Sequence, residues 1–293
     1  MPAAKRKEKS EVSIIGTGRL GTTLAIALAA NGYSINSLVA RRTQNARKAA
    51  KLLDAEVQVL AAKQLRTLRP TDLFLITVPD DQIDRVAREL SEINADQKLT
   101  VLHTSGALSR DALAPLAKKG WHTGSIHPLM SVSSARDSLQ GAFWSVEGDQ
   151  TALRLGKEIV RDLGGKSFSI RSKDKPLYHA AAVMVSGNVT ALFDVALEML
   201  GECGLDRKTA RAVLLPLIAS TVTNLETKDP AQALTGTFSR GDVETVKRHL
   251  AVIKNKEVRG LYQLLGERSL EMADLDKDLA RQIRRVLLTG RQD

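Results

Sequence analysis

Short apolar runs alternate with longer amphipathic stretches along the first part of the chain. A short run rich in Val, Ile and Leu predicts a strand, and a stretch with apolar residues three or four positions apart predicts a helix. The predicted strands are 12–15, 35–39, 57–60, 73–78, 100–102, 124–127, 143–147 and 167–170. The predicted helices are 22–31, 43–53, 82–93, 107–119 and 151–163. This alternation is typical of a parallel sheet with helices on both faces.

The pattern changes near residue 173. Beyond it follow helical stretches such as AAVMVSGNVTALFDVALEML and TARAVLLPLIASTVTNLE, without a convincing strand. We therefore predict an α/β fold: a Rossmann-like, doubly wound and mainly parallel sheet in residues 12–172, followed by an all-helical domain in residues 173–293. Residues 1–11, which contain the basic run KRKEK, are predicted to form a disordered tail.

Composition narrows the protein class. With 43% hydrophobic and 26% charged residues, the chain is typical of globular proteins. Uninterrupted apolar runs fall short of the ~18 residues of a membrane helix. The run after the N-terminus is broken by Arg19 and by glycines, unlike a secretory signal. Since Cys203 is the only cysteine, an internal disulfide is excluded. We therefore expect a cytoplasmic protein without a membrane partner.

The net charge of +10 raises the question of nucleic-acid binding. Aromatic residues make up only 3% of the chain, and the basic residues are dispersed apart from the N-terminal tail. A stacking platform for bases is therefore not indicated, and we expect no nucleic-acid partner. A cleft that accepts anionic small molecules explains the charge better.

A glycine-rich turn follows the first predicted strand. Gly16, Gly18 and Gly21 have the Gly-x-Gly-x-x-Gly spacing of a dinucleotide-binding turn. The first glycine allows a tight turn, the second allows close approach to a pyrophosphate, and the third allows close packing of helix on strand. Because the motif lies between a strand and a helix, it predicts cofactor contacts along the whole turn. The intervening residues of this predicted site are Thr17, Arg19 and Leu20.

The end of the second predicted strand indicates which cofactor binds. An NAD enzyme usually carries an acidic residue about 20 positions beyond the turn, but here that position is Arg41, followed by Arg42 and Thr43. Guanidinium groups suit a 2′-phosphate, so the sequence predicts NADP. Arg42 could instead be an exposed residue of the next helix. Val78 and Pro79 end the fourth strand and are expected to contact the same cofactor.

The acidic residues that follow Pro79 have a simpler explanation. Asp80 and Asp81 could cap the next helix, and for Asp81 this is the better account.

Histidines gather near the predicted strand ends and the domain junction. His103 and Ser105 lie in HTSGALS, and His127 lies in GSIHPLM, where side chains could bind substrate or move a proton. A structural hydrogen bond explains any single histidine about as well. No metal site is predicted, because no carboxylate has a clear ligand spacing with these histidines.

The junction itself carries polar residues that could meet a substrate. Lys175, Tyr178 and His179 precede a helix that contains Ser186 and Asn188. Any of the first three could donate a proton to a carbonyl or imine, although Lys175 could also be plain surface.

Four separated motifs carry a family resemblance: HTSGALSRDALAPL, GSIHPL, YHAAAVMVSGNVTAL and ALTGTFSRGDVETVKRHL. The chain resembles the predicted oxidoreductases that join a Rossmann-like domain to a helical C-terminal domain of unknown function. More distantly it is similar to pyrroline-5-carboxylate reductase, ketopantoate reductase, 6-phosphogluconate-type hydroxyacid dehydrogenases and deazaflavin-dependent NADP oxidoreductases. The resemblance implies an NADP-binding reductase that forms a homodimer through its helical domain.

The resemblance also implies roles for particular residues. Arg240, in the loop 235–242, is expected to clamp a substrate carboxylate, from the same subunit or its partner. Two departures limit the comparison. Thr237 stands where the family's loop is expected to carry proline. His179 stands four residues after Lys175, where the hydroxyacid dehydrogenases carry asparagine, so their mechanism does not transfer.

The sequence therefore predicts an NADP(H)-dependent oxidoreductase. Its expected substrate is a small keto, imino or hydroxy compound that bears a carboxylate and binds between the two domains. The alternative is a non-catalytic NADP-binding regulatory or scaffold protein, because no single proton donor is compelling.

Overall fold

The computed structural model describes residues 9–53, 55–95 and 97–289. It divides the chain into two compact units, of which the first ends at Gly187 and the second begins at Asn188. Most of the predicted N-terminal tail, residues 1–8, lies outside the described residues. Of its remainder, Lys9 forms an ion pair with Asp162 at 2.8 Å and Glu11 begins the first strand.

Within the described residues, the first unit contains an eight-stranded sheet. Its strands are β1 (Glu11–Ile15), β2 (Ser34–Ala40), β3 (Gln58–Ala61), β4 (Leu73–Ile76), β5 (Thr100–His103), β6 (His122–Pro128), β7 (Phe143–Gly148) and β8 (Lys166–Phe168). The spatial order is β3-β2-β1-β4-β5-β6-β7-β8. Neighbouring strands are parallel except β6 and β7, which are antiparallel. The predicted doubly wound, mainly parallel sheet is confirmed.

Helices cover both faces of this sheet. They are α1 (Arg19–Ala30), α2 (Thr43–Ala50), α3 (Asp80–Ser91), α4 (Ala114–Lys118) and α5 (Gln150–Asp162), and a sixth helix, α6 (Lys175–Val185), follows β8 in the chain. Successive residues of β4 point to opposite faces, so Leu75 joins a core with α1, α2 and α5, whereas Phe74 joins a core with α3 and α4. Burial on both faces explains why β4 reads as an unbroken apolar run.

The predicted helix 107–119 begins later than its sequence pattern suggests. A 3₁₀ turn, Arg110–Leu113, precedes α4. The reason lies in the preceding loop, where the Ser105 hydroxyl accepts hydrogen bonds from the amides of Ala107 and Leu108 at 3.2 and 2.9 Å. A side chain that bonds local backbone amides in this way competes with helix formation.

The second unit is helical throughout its described part, as predicted. Its helices are α7 (Gly187–Glu202), α8 (Arg207–Thr227), α9 (Pro230–Ala233), α10 (Thr237–Arg240), α11 (Val243–Val252), α12 (Lys256–Met272) and α13 (Lys277–Leu288). A small core joins α11, α12 and α13. Its fully buried members include Val246, Ile283 and Leu287.

Among the described residues, one helical stretch, Ser172–Glu202, is long and apolar enough to cross a membrane by length and composition alone. The sequence expectation was different because it required uninterrupted apolar residues, and Lys175, His179 and Asn188 interrupt this stretch. Only 6% of its most apolar window is buried within the chain.

The change from strands to helices and the division between the compact units fall at different places. The sequence pattern changes near residue 172, at the start of α6, whereas the first unit extends to Gly187. The physical reason is that the side chains of Lys175 and Tyr178 in α6 form hydrogen bonds with residues of the sheet.

Candidate functional site

The predicted dinucleotide turn joins β1 to α1, and its three glycines have three different surroundings. Gly16 has a φ of +112°, which L-residues rarely adopt. A β-carbon at Gly21 would lie 1.9 Å from the carbonyl oxygen of Gly16, so α1 approaches the turn closely. A β-carbon at Gly18 would meet no atom within 4 Å, so space is open there. These are the surroundings expected of a tight turn, a packing contact and a ligand approach.

The turn also leaves polar groups without partners. Gly18 is the N-cap residue of α1 and makes no side-chain hydrogen bond to the first amides of the helix. The Thr17 hydroxyl is buried and makes no hydrogen bond within the described part of the chain. Buried polar atoms are normally bonded, so this arrangement fits a polar ligand, and a helix N-terminus favours an anion.

A cavity of about 340 Å³ opens from this turn. Its lining includes Gly16, Thr17 and Gly18 at one end, Val78 and Pro79 beside them, and Arg41. The volume lies within the ~300–1,000 Å³ range of small-molecule sites. The structure therefore brings together the predicted turn, the end of β4 and the first of the two arginines.

The two arginines after β2 surround a neighbouring recess together with Asn45. Both side chains are exposed, and neither forms an ion pair with a carboxylate in the described ranges. Arg42 also precedes α2 as its N-cap residue. Thr43, the first residue of α2, lies outside both cavities. Asn45 was not predicted, because one amide on a polar helix carries no distinguishing pattern.

The predicted capping role of Asp81 is not observed. Pro79 is the N-cap residue of α3 and makes no side-chain cap bond, while Asp80 and Asp81 lie in the first turn of the helix. Asp80 instead accepts a hydrogen bond from the Ser105 hydroxyl at 2.7 Å. This bond connects the loop after β4 to the loop after β5.

Ser105 and His103 are both engaged in hydrogen bonds within the loop after β5. The Ser105 hydroxyl donates to Asp80 and accepts from two amides, so it has no free donor. His103 accepts from the Ser105 amide at Nδ1 and donates from Nε2 to the Ser109 carbonyl, at 3.2 and 3.0 Å. Burial, followed by the charge of Lys175, lowers the pKa of His103 to about 4. His103 is therefore a buried, neutral histidine with both ring nitrogens bonded.

Lys175 is the most deeply buried charged residue of the site, with a side chain only 1% exposed. Its ammonium group donates to the Ser125 hydroxyl at 2.7 Å and to the Ser105 carbonyl at 3.2 Å, and it lies 3.8 Å from a carboxylate oxygen of Glu147. Burial lowers the pKa of Lys175 to about 8, although Glu147 and Asp80 favour its charged form. Lys175 is thus a buried, paired cation rather than a surface residue.

Two further histidines meet beside α6. The rings of His127 and His179 lie edge to face with centroids 5.4 Å apart, and Nδ1 of His127 is 2.9 Å from the Tyr178 hydroxyl. Burial, followed by the neighbouring charges of His179 and Lys175, lowers the pKa of His127 to about 4. Burial raises the pKa of the Tyr178 hydroxyl. At neutral pH this cluster therefore offers a neutral imidazole bonded to a neutral phenol.

Gly106 completes this cluster. A β-carbon at Gly106 would lie 2.4 Å from Nδ1 of His179 and 2.8 Å from Cε1 and Nε2 of His127. The close approach of both rings therefore requires glycine. Ser125, Glu147 and Gly106 were not predicted as site residues, and only the position of Gly106 within HTSGALS offered a signal.

Asn188 and Arg240 belong to the second unit, and their predicted roles stay predictions. Arg240 ends α10 and forms an ion pair with Asp242 at 2.7 Å. Among the described residues, no group of three or more histidine, cysteine or acidic side chains is placed to hold a metal ion.

Two domain families match the chain. Residues 2–128 match a Rossmann-like domain, and residues 142–269 match a domain of unknown function, DUF2520. The chain therefore carries a Rossmann-like domain followed by a DUF2520 domain, which confirms the resemblance carried by the four sequence motifs. Among curated proteins, none matches the chain.

Solved structures share the fold over nearly the whole chain. A candidate NADP oxidoreductase from Bacteroides fragilis is 23% identical with a TM-score of 0.75, over 90% of this chain and 99% of that one. The protein TM1727 from Thermotoga maritima is 25% identical with a TM-score of 0.70, over 89% and 98%. A Plasmodium falciparum pyrroline carboxylate reductase with bound NADP is 13% identical with a TM-score of 0.56, over 95% and 98%.

Proposed function

We propose that the protein is an NADP(H)-dependent oxidoreductase. The observation that carries the proposal is the cavity between the glycine turn and Arg41, with its open side at Gly18 and its unbonded Thr17 hydroxyl. When bound there, NADP(H) would supply or accept the hydride. The Bacteroides fragilis and Plasmodium falciparum proteins that share the fold are described by their names as an NADP oxidoreductase and as a reductase with NADP bound.

The preference for NADP over NAD rests on the residues around Arg41. In NAD enzymes of this fold an acidic side chain usually holds the ribose 2′-hydroxyl, whereas here two arginines and Asn45 surround the recess. The charge of a guanidinium group without a carboxylate partner is not neutralised by the protein, so the group can pair with an anion such as a 2′-phosphate.

The test is calorimetric titration of the full chain with NADPH and NADH. We expect NADPH to bind at least about tenfold more tightly, and Arg41→Ala to lose most of this difference. Arg47→Ala is the matched control, because Arg47 is an exposed arginine of α2 that lies outside both cavities. Equal affinities for the two dinucleotides would overturn the NADP preference. No binding of either would overturn the proposed function.

For the chemical step we propose the cluster of His127, Tyr178 and His179. A hydroxyl hydrogen-bonded to a neutral imidazole can pass a proton to or from a substrate. Lys175, which is buried and paired, and His103, which is fully bonded, would hold the loop after β5 and α6 in place. Ser105 would act in the same way.

The substrate class is proposed from the resemblance and the basic charge of the chain. We propose a small keto, imino or hydroxy compound with a carboxylate, which Arg240 would bind. Asn188 would contribute a further hydrogen bond. Turnover of such compounds with NADPH, and a raised KM in Arg240→Ala, would support this assignment.

A non-catalytic NADP-binding protein is the second candidate, and one observation favours it. Two residues expected to be catalytic, His103 and Ser105, have their polar atoms engaged in structural hydrogen bonds. The variants His127→Gln and His179→Gln distinguish the candidates. Loss of turnover at unchanged NADPH affinity supports an enzyme, whereas absence of turnover in the unaltered protein with every tested acid supports the alternative.

We also propose that the protein forms a homodimer, as its resemblance implies. Helix α8 supports the proposal, because it carries exposed apolar side chains, including Leu217, which is 63% exposed, and Val222, which is 53% exposed. Sedimentation of the purified protein should give the mass of two chains, and a single chain at micromolar concentration would contradict it.

A further inference from the structure

One face of α3 lines the cofactor cavity. Gln82, Arg85, Val86 and Glu89 line the cavity and are spaced three and four positions apart, which places them on one side of the helix. The buried Leu65, from the 3₁₀ helix that follows β3, lines the cavity with them. The α3 side of the cavity therefore combines apolar and polar side chains.

The charges on the α3 side of the cavity differ from those around Arg41. Nη1 of Arg85 lies 2.7 Å from Oε1 of Glu89, and Nε of Arg85 donates to Gln82 at 3.2 Å. Because the two charges of this ion pair cancel, Arg85 and Glu89 add no net charge to the α3 side of the cavity. Arg41 has no such partner in the described part of the chain. The anionic part of a dinucleotide is therefore favoured at Arg41, and a neutral part is favoured at α3.

Adenine combines apolar faces with a hydrogen-bond donor, which suits the side chains on the α3 side of the cavity. Its faces are apolar and pack on aliphatic side chains such as Val86 and Leu65, and a planar guanidinium such as that of Arg85 can stack on them. Its exocyclic amine is a hydrogen-bond donor. Only one carboxylate oxygen of Glu89 is engaged by Arg85, and the side chain is 22% exposed, so the other oxygen can accept a hydrogen bond.

We propose that Glu89 recognises the exocyclic amine of the cofactor's adenine ring and thereby selects adenine among purine bases. The inference rests on the proposed function, since it assigns a role to residues of the same cavity. It makes the protein selective for adenine over a purine with a carbonyl group at the same position, because that carbonyl would face a carboxylate with no proton between them.

The experiment compares NADP⁺ with its hypoxanthine analogue, in which a carbonyl replaces the exocyclic amine, by calorimetry on the full chain. We expect the analogue to bind at least about tenfold more weakly to the unaltered protein. In Glu89→Gln the amide can donate to the carbonyl or accept from the amine, so the two affinities should agree within about threefold.

The matched control is Asp84→Asn. Asp84 lies on the same helix and forms an ion pair of the same i,i+4 type with Arg88 at 2.8 Å, but it lies outside the cavity. This variant should keep the full selectivity of the unaltered protein.

Three outcomes overturn the inference, and they show whether the proposed function fails with it. Equal binding of NADP⁺ and its analogue to the unaltered protein, or full selectivity in Glu89→Gln, removes the role of Glu89 and leaves the NADP site standing. No binding of either dinucleotide to the unaltered protein removes the proposed function and this inference together.

Discussion

The α-carbon of Gly106 lies so close to the imidazole of His179 that a β-carbon would come within 2.4 Å of Nδ1. The same β-carbon would lie 2.8 Å from the ring of His127. Gly106 is not among the glycines with positive φ, so an alanine there would meet a steric obstacle rather than backbone strain. The absence of a side chain at Gly106 therefore allows both histidine rings to lie against the loop after β5.

We expect Gly106→Ala to displace the rings of His127 and His179 from residue 106. Overpacking of this kind costs about 1–3 kcal/mol of folding free energy, measured by urea denaturation. The imidazole proton resonances of His127 and His179 should shift, while NADPH affinity should be unchanged. Gly201→Ala in α7 is the control, because nothing lies within 4 Å of its added methyl group. Unchanged stability and unchanged histidine resonances in Gly106→Ala would contradict the assignment.

Gly18 and Gly21 should respond differently to the same substitution. Gly18→Ala places a methyl group in open space, so it should weaken NADPH binding by at least about tenfold with little change in stability. Gly21→Ala places a methyl group 1.9 Å from the Gly16 carbonyl, so it should destabilise the fold itself, by about 1–3 kcal/mol or more. Calorimetric titration and urea denaturation of each variant measure the two effects. Equal effects of both substitutions on stability would show that the turn is packed differently.

Replacing Lys175 alone should reduce the folding free energy more than replacing Lys175 and Glu147 together. Lys175→Met removes the cation beside a carboxylate that is only 10% exposed, and breaking a buried pair costs about 3–5 kcal/mol. The double variant Lys175→Met with Glu147→Gln leaves no unpaired charge and should regain a substantial part of this loss. A double-mutant cycle by urea denaturation measures the coupling free energy. Additive losses would mean that the two side chains do not depend on one another.

Acid should weaken the fold between about pH 6.5 and pH 4. Burial lowers the pKa of His103 from 6.5 to about 4, so in this range the unfolded chain binds a proton that the folded chain does not. Stability therefore falls as the pH falls through this window, by on the order of 2 kcal/mol for this histidine. His127, whose pKa is lowered in the same way, adds to the effect.

Urea denaturation at pH 7.5 and pH 4.5 checks this pH dependence. His127→Gln should reduce the difference in stability between the two conditions, because one of the two titrating groups is gone. Equal stability of the unaltered protein at both pH values would contradict the burial of these rings in their neutral form.

Most of the fold could be predicted from local sequence pattern. Every predicted strand is present, because apolar runs such as LFLI in β4 place buried side chains on both faces of the sheet. The start of the helix predicted at residue 107 was wrong. Helix propensity does not include the hydrogen bonds from the amides of Ala107 and Leu108 to the Ser105 hydroxyl. These bonds move the start of the helix to a later residue.

The contacts within the candidate site could be predicted where its residues are close in sequence. The glycine turn and Arg41 follow a spacing that one βαβ unit imposes, and both line the same cavity. Glu147 and Ser125 meet Lys175 only because β6, β7 and α6 lie side by side. That proximity depends on the completed sheet, so no local pattern reveals it.

The burial of Lys175 also determines how the chain can be divided into separate pieces. A fragment that stops at residue 172, where strands give way to helices, would contain Glu147 and Ser125 without their partner Lys175. A fragment that continues to Gly187 keeps both partners. The half of this protein that contains the sheet is therefore expected to fold by itself only if it includes α6, the first helix of what the sequence presents as the other half.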